Sequence, residues 1–241
     1  MFGVMNIEYL FDIVDQFQTQ SQSEMSELGF IYINRIFQYM FENNIKIFLQ
    51  KHPLILETIS NYLLSYIKNG RTQMVRQISL FSLIKMVFLE PLAVYDSWVK
   101  MNQADFLIYQ IFGLMKGMNE SEGWNHFILF TVSMLKNLQQ NSKVPFTMDI
   151  LAKETLQVIR RMVNEAQRQE NFEEEDTANS ESNSLNGDEL SWDEREFMLE
   201  EPVCYDSPFD DLNYATLFME QLQKLEQDAP NLFYQFINQL S

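Results

Sequence analysis

Between Glu170 and Asp211 the chain carries Glu173-Glu174-Glu175-Asp176, Asp188-Glu189, Asp193-Glu194-Arg195-Glu196, Glu200-Glu201 and Asp210-Asp211, set among Asn, Ser and Gly with few large aliphatic side chains. Like charges at that density repel, and so little apolar surface cannot offset the entropy of ordering the backbone. Residues 170–209 are therefore expected to form an acidic, largely disordered loop, and the core must be built from the rest of the chain. The distribution of charge agrees. Residues 1–165 hold 14 Lys and Arg against 15 Asp and Glu, whereas residues 166–241 hold 3 against 19, so nearly the whole formal charge of −17 lies in the last third.

The remainder can bury a substantial core, since 46% of the 241 residues are hydrophobic and 14% are aromatic. With only 7 Gly and 6 Pro, and no alternating Val/Ile/Thr runs, the composition argues for an all-α fold over a sandwich or barrel. The anionic total disfavours nucleic acid, whose phosphates would be repelled, and favours basic proteins as partners. One cysteine, Cys204, excludes an intramolecular disulfide and points to a reducing compartment. The opening Met1-Phe2-Gly3-Val4-Met5 lacks the basic region of a signal peptide. Lys85 and Lys100 interrupt the apolar stretches well short of the roughly 20 residues a bilayer needs, so no membrane insertion is expected. Cytoplasm and nucleus are the expected locations.

Helical rows recur along residues 1–169. Ile7, Leu10, Phe11 and Val14 begin them, on a first helix that is apolar on almost every side. A helix over about 24–43 (Ile33, Ile36, Phe37, Met40, Phe41) is followed after Pro53 by a second (Ile55, Ile59, Tyr62, Leu63, Tyr66) that stops at Asn69-Gly70. From 71 to 89 the row is Leu80, Leu83, Ile84, Val87, ended by Glu90-Pro91 because a residue before proline avoids the α region. Helices then follow from 104 to 115 (Ala104, Leu107, Ile108, Ile111, Met115), from 124 to 138 (Ile128, Thr131, Val132, Leu135) and from 146 to about 169 (Leu151, Thr155, Val158, Ile159, Met162). Two helices of a C-terminal tail, residues 210–241, carry Tyr214, Leu217, Phe218, Leu222 and Leu225, then Phe233, Phe236, Ile237 and Leu240. Asp210-Asp211 suits the positive end of the first, and Pro230 opens the second.

Helix pairs recurring every roughly 40–47 residues are the pattern of an α-solenoid of HEAT type. A compact bundle gives much of the same periodicity. The all-round apolar first helix favours the solenoid, as a helix that upstream repeats would cover, and the chain then reads as the C-terminal piece of a longer array.

The order of features after Arg160-Arg161, an acidic loop and then Tyr205-Asp206-Ser207-Pro208-Phe209-Asp210-Asp211-Leu212-Asn213-Tyr214-Ala215-Thr216-Leu217-Phe218, resembles the C-terminal region of β-karyopherins. The importin seven and eight branch is the nearest likeness. Asp210, Tyr214 and Phe218 match its D-x-x-x-Y-x-x-F-like helix, and Tyr234-Gln235 matches its final helix. The resemblance implies HEAT-like repeats over 1–169, tail helices packing back on them, and nuclear import of basic cargo such as histones or ribosomal proteins. The repeats through which that family binds the small GTPase Ran have no counterpart here, so Ran is expected only through repeats upstream of Met1. A HEAT scaffold or histone-chaperone-like protein without a transport role is the alternative.

The residues expected to meet a basic partner are Glu173, Glu174, Glu175, Asp176, Asp188, Glu189, Asp193, Glu194, Glu196, Glu200 and Glu201. Tyr214, Phe218 and Phe233 are expected to dock the tail. The bland reading of the acids is a solvated linker, while Trp192, Phe197 and Met198 among them could fold on a partner. No catalytic residue, cofactor or metal is expected. His52 and His126 stand in structural surroundings, zinc spacing is missing, and Asn186-Gly187-Asp188-Glu189 only faintly resembles a calcium loop. Cys204 has no clustered base to activate it. The 14 methionines lie mainly in core rows, and Ser207-Pro208 is a possible phosphate acceptor.

Overall fold

The computed structural model describes residues 30, 34, 35, 37–39, 41, 42, 45, 46, 55–70, 72–117, 121–140, 148–179 and 207–240. The fold is all-α, with no strand among the described residues. The described residues between 30 and 46 are helical. They are followed by α1 (Ile55–Asn69), α2 (Gln73–Leu89), α3 (Pro91–Lys100), α4 (Ala104–Gly117), α5 (Ser121–Gln140), α6 (Met148–Asn179), α7 (Tyr214–Asp228) and α8 (Pro230–Leu240). The expected helix over 4–17 lies outside the described residues.

Among the described residues the helices pack about one row of successive contacts. In this row the helix at 30–46 touches α2, α2 touches α5, and α5 touches α7. Around it, α1 packs on α2 and α3, α6 packs on α5, and α8 packs on both α6 and α7. Helices in the middle of a row are flanked on both sides, so their apolar surface cannot be confined to one stripe. α2 accordingly buries Val75, Phe81 and Met86 beside the row Leu80, Leu83, Ile84, Val87, and α5 buries every residue from His126 to Leu135. Hydroxyl side chains fit inside these helices because each can bond back to a carbonyl one turn earlier. Ser79 donates to Val75 at 2.7 Å, Ser133 to Leu129 at 2.6 Å and Thr155 to Leu151 at 2.7 Å.

Two expectations need correction. Glu90-Pro91 closes α2, but the same proline opens α3, which the sequence reading passed over. Pro91 occupies the first helical position, where a missing N–H costs nothing. α3 then buries Val94, Tyr95 and Trp98, the last fully enclosed. α3 ends at Lys100, and just past its cap Met101 comes Asn102 with a positive φ of 55°, a conformation that asparagine tolerates better than most residues. The second correction concerns the acidic stretch. Instead of a loop from residue 170, α6 continues to Asn179, so Glu173 to Asp176 stand in its last turns. No Gly or Pro falls between Pro145 and Gly187, and Glu, Ala, Gln and Arg are strong helix formers. Order is also in place by Ser207, ahead of the expected boundary at residue 210.

Candidate functional site

After Asn179 the described residues resume at Ser207. They resume in a short turn that is fixed by hydrogen bonds. Ser207 donates its N–H to Asp210 Oδ2 at 2.9 Å, its carbonyl accepts from the Asp210 N–H at 2.9 Å, and its Oγ accepts from the Phe209 N–H at 3.3 Å. The phenol of Tyr214 donates to the Phe209 carbonyl at 2.9 Å, tying the turn to the start of α7. The cap of α7 is Asn213, whose side chain accepts from Thr216 N–H at 2.9 Å. Asp210, which the sequence suggested for the helix dipole, is used instead by the turn.

Beneath the turn lies a partly buried polar cluster. Glu42, from the helix at 30–46, accepts from Ser207 Oγ at 2.8 Å and pairs with Lys85 of α2 at 3.3 Å, with its Oε1 withdrawn from solvent. A carboxylate in such a place needs a cation and hydrogen bonds to offset its lost hydration, and these two contacts supply both. The Lys85 ammonium also lies 5.1 Å from the ring centre of Phe209. That ring is 3% exposed and meets Phe88 edge-on at 5.7 Å. Lys136 of α5 covers Phe88 at 4.7 Å. The result is a pair of aromatic rings, Phe209 and Phe88, between two lysines, Lys85 and Lys136, with Glu42 and Ser207 at the Lys85 end. Burial, reinforced by Lys224 of α7, holds the Lys136 amine below the usual lysine range.

α7 and α8 complete the docking. Phe218, Leu222, Leu225 and Phe236 are buried, and Phe218 meets Phe236 edge-on at 6.3 Å. Phe233 is half-buried against the core, and Gln139 of α5 donates to Asp228 at 2.7 Å. Of the residues singled out for the tail, Tyr214 therefore closes the turn, Phe218 is interior and Phe233 lies at the margin. Of those singled out for a basic partner, Glu173, Glu174, Glu175 and Asp176 lie together near the C-terminal end of α6. Asp188, Glu189, Asp193, Glu194, Glu196, Glu200 and Glu201 lie outside the described residues, as do Cys204, His52, Trp192, Phe197 and Met198.

Glu42, Lys85 and Phe88 were not singled out from the sequence. Glu42 and Ser207 are separated by 165 positions, and the local signal is slight: Lys85 stands alone between Ile84 and Met86 in an apolar run. His126 is buried and stacked on Phe81, with ring centres 4.0 Å apart and planes inclined by 10°. Among the described residues there is no group of three His, Cys, Asp or Glu that could hold a metal ion, and no helix long and apolar enough to cross a membrane. No family model, curated protein or solved structure matches this chain.

Proposed function

We propose that this chain binds basic proteins through its acidic segment, in the manner of the C-terminal part of a β-karyopherin import receptor moving between cytoplasm and nucleus. The observation that carries the reading is the placing of Glu173 to Asp176. They stand in the last turns of α6, whose final turn holds no basic residue. Negative charge near the C-terminal end of a helix is disfavoured by the dipole and by like charges three or four positions apart, a cost that a cationic partner relieves. The segment that follows carries nine more carboxylates and one arginine up to Asp206, and the described residues resume at Ser207. A basic protein thus meets a polyanion joined at both ends to a folded surface, so that charge speeds encounter and packed contacts supply selectivity.

The test is a pull-down with a linker histone and a basic ribosomal protein across a salt series. The intact chain is compared with one lacking residues 180–201 and with E173Q/E174Q/E175Q/D176N. Salt-sensitive capture that falls in both variants is the expected result, because exposed charges are screened beyond about 10 Å at 0.1 M salt. Equal capture by all three, or none by any, removes the acidic segment as the binding element. In a longer parent bearing upstream repeats, release of the basic partner by GTP-bound Ran distinguishes an import receptor from a scaffold or histone chaperone.

A further inference from the structure

We propose that Ser207 is a phosphorylation site for a proline-directed protein kinase, and that its phosphate holds the Ser207–Asp211 turn off the Glu42–Lys85 pair. The sequence supplies the substrate motif, with Pro208 directly after Ser207, and both Pro208 and Asp210 are exposed. The structure supplies the consequence. In the closed turn the Ser207 hydroxyl donates to Glu42 Oε2 at 2.8 Å, and the same carboxylate pairs with the ammonium of Lys85 at 3.3 Å. Phosphorylation forms a bond from Ser207 Oγ to the γ-phosphorus of ATP. The bond from that phosphorus to the β,γ-bridging oxygen breaks, ADP leaves with its electron pair, and the hydroxyl proton passes to a base of the kinase.

The ester oxygen then has no hydrogen to donate to Glu42. In its place stands a group of about −1.5 to −2 charge, at hydrogen-bond distance from a buried carboxylate. Asp210, whose Oδ2 lies 2.9 Å from the Ser207 nitrogen, adds a further negative neighbour. The phosphate, Glu42 and Asp210 repel one another across the turn, so the closed geometry is lost. The hydroxyl itself is reached by local opening. Ser207 is 7% exposed, but its turn spans only a few residues and buries one large side chain, Phe209, whereas α7 buries Phe218, Leu222 and Leu225 of its own. The opening is therefore confined to the turn, and phosphate traps it, uncovering Phe209 and Phe88.

The full chain is treated with a proline-directed kinase and Mg-ATP, the phosphate is mapped by mass spectrometry with S207A as control, and amide hydrogen exchange is followed. Expected are a phosphate on Ser207 and exchange at least about tenfold faster at Phe209, Asp210 and Leu212, with α7 amides from Phe218 to Leu225 unchanged. In E42Q, which removes the opposing charge but leaves an amide able to donate to phosphate, modification should no longer open the turn. The proposal is overturned if a peptide spanning Val203–Leu212 is modified but Ser207 of the intact chain is not. Phosphate without faster exchange overturns it as well, and so does a phosphorylated E42Q chain as open as the phosphorylated parent.

Discussion

Tyr95 shows how a single side chain ties stability to pH. Its phenol is buried on α3, and burial, assisted by the nearby charges of Asp105 and Asp96, pushes its pKa up to about 12. In the unfolded chain the same group ionises near its ordinary value of about 10. The unfolded state therefore sheds its proton first, so this contribution is complete below about pH 10 and is lost as pH rises toward about 12. Tyr95→Phe should flatten the alkaline limb of a urea-midpoint profile while leaving the neutral region nearly unchanged. An identical alkaline slope in both proteins would remove Tyr95 as its source. Other single residues were readable in advance. Leu83, Leu107, Ile111 and Leu135 were assigned to apolar rows and are fully buried. Glu42 was not, because what makes it special is Ser207, far along the chain, and helical spacing carries no trace of that partner.

Among the helices, what the sequence conceals is how many neighbours each will have. One face of α2 and of α5 was legible from the spacing of Leu80, Leu83, Ile84 and Val87, and of Ile128, Val132 and Leu135. Their opposite faces are buried only because each helix has a neighbour on either side within its row. Local punctuation was ambiguous in a similar way, since Pro91 both stops one helix and starts another. Caps give a direct test at this level. Asn213→Ala should destabilise the protein by about 1 kcal/mol through loss of the bond to Thr216 N–H, read as a lower thermal midpoint, with Asn213→Asp largely retaining stability. The end of α6 should respond in the opposite sense. E173Q/E174Q/E175Q/D176N removes charge near the negative end of the dipole, where a charge within the last turn is worth roughly 0.3–1 kcal/mol at low salt. Amides near Asn179 should then exchange more slowly, and added salt should erase the difference. Faster exchange in the variant would mean that the carboxylates support the helix end.

At the scale of the molecule, the tail is joined to the body by docking as well as by the backbone. The turn at Ser207 and the buried side chains Phe218, Leu222, Leu225 and Phe236 hold residues 207–240 against α2, α5 and α6. Full burial of a side chain such as Phe or Leu contributes about 1.5–3 kcal/mol, and none of these contacts depends on peptide bonds between 180 and 206. The chain can therefore be treated as two polypeptides that happen to be joined. Residues 1–179 and 207–241, expressed as separate pieces, should co-purify as a stoichiometric pair, and Phe236→Asp in the shorter piece should abolish the association. A protease cutting within the acidic segment would yield a nicked protein of unchanged size on a native column and two bands under denaturing conditions. The acidic segment could in the same way be lengthened, or replaced by an inserted domain, without dismantling the helices on either side of it.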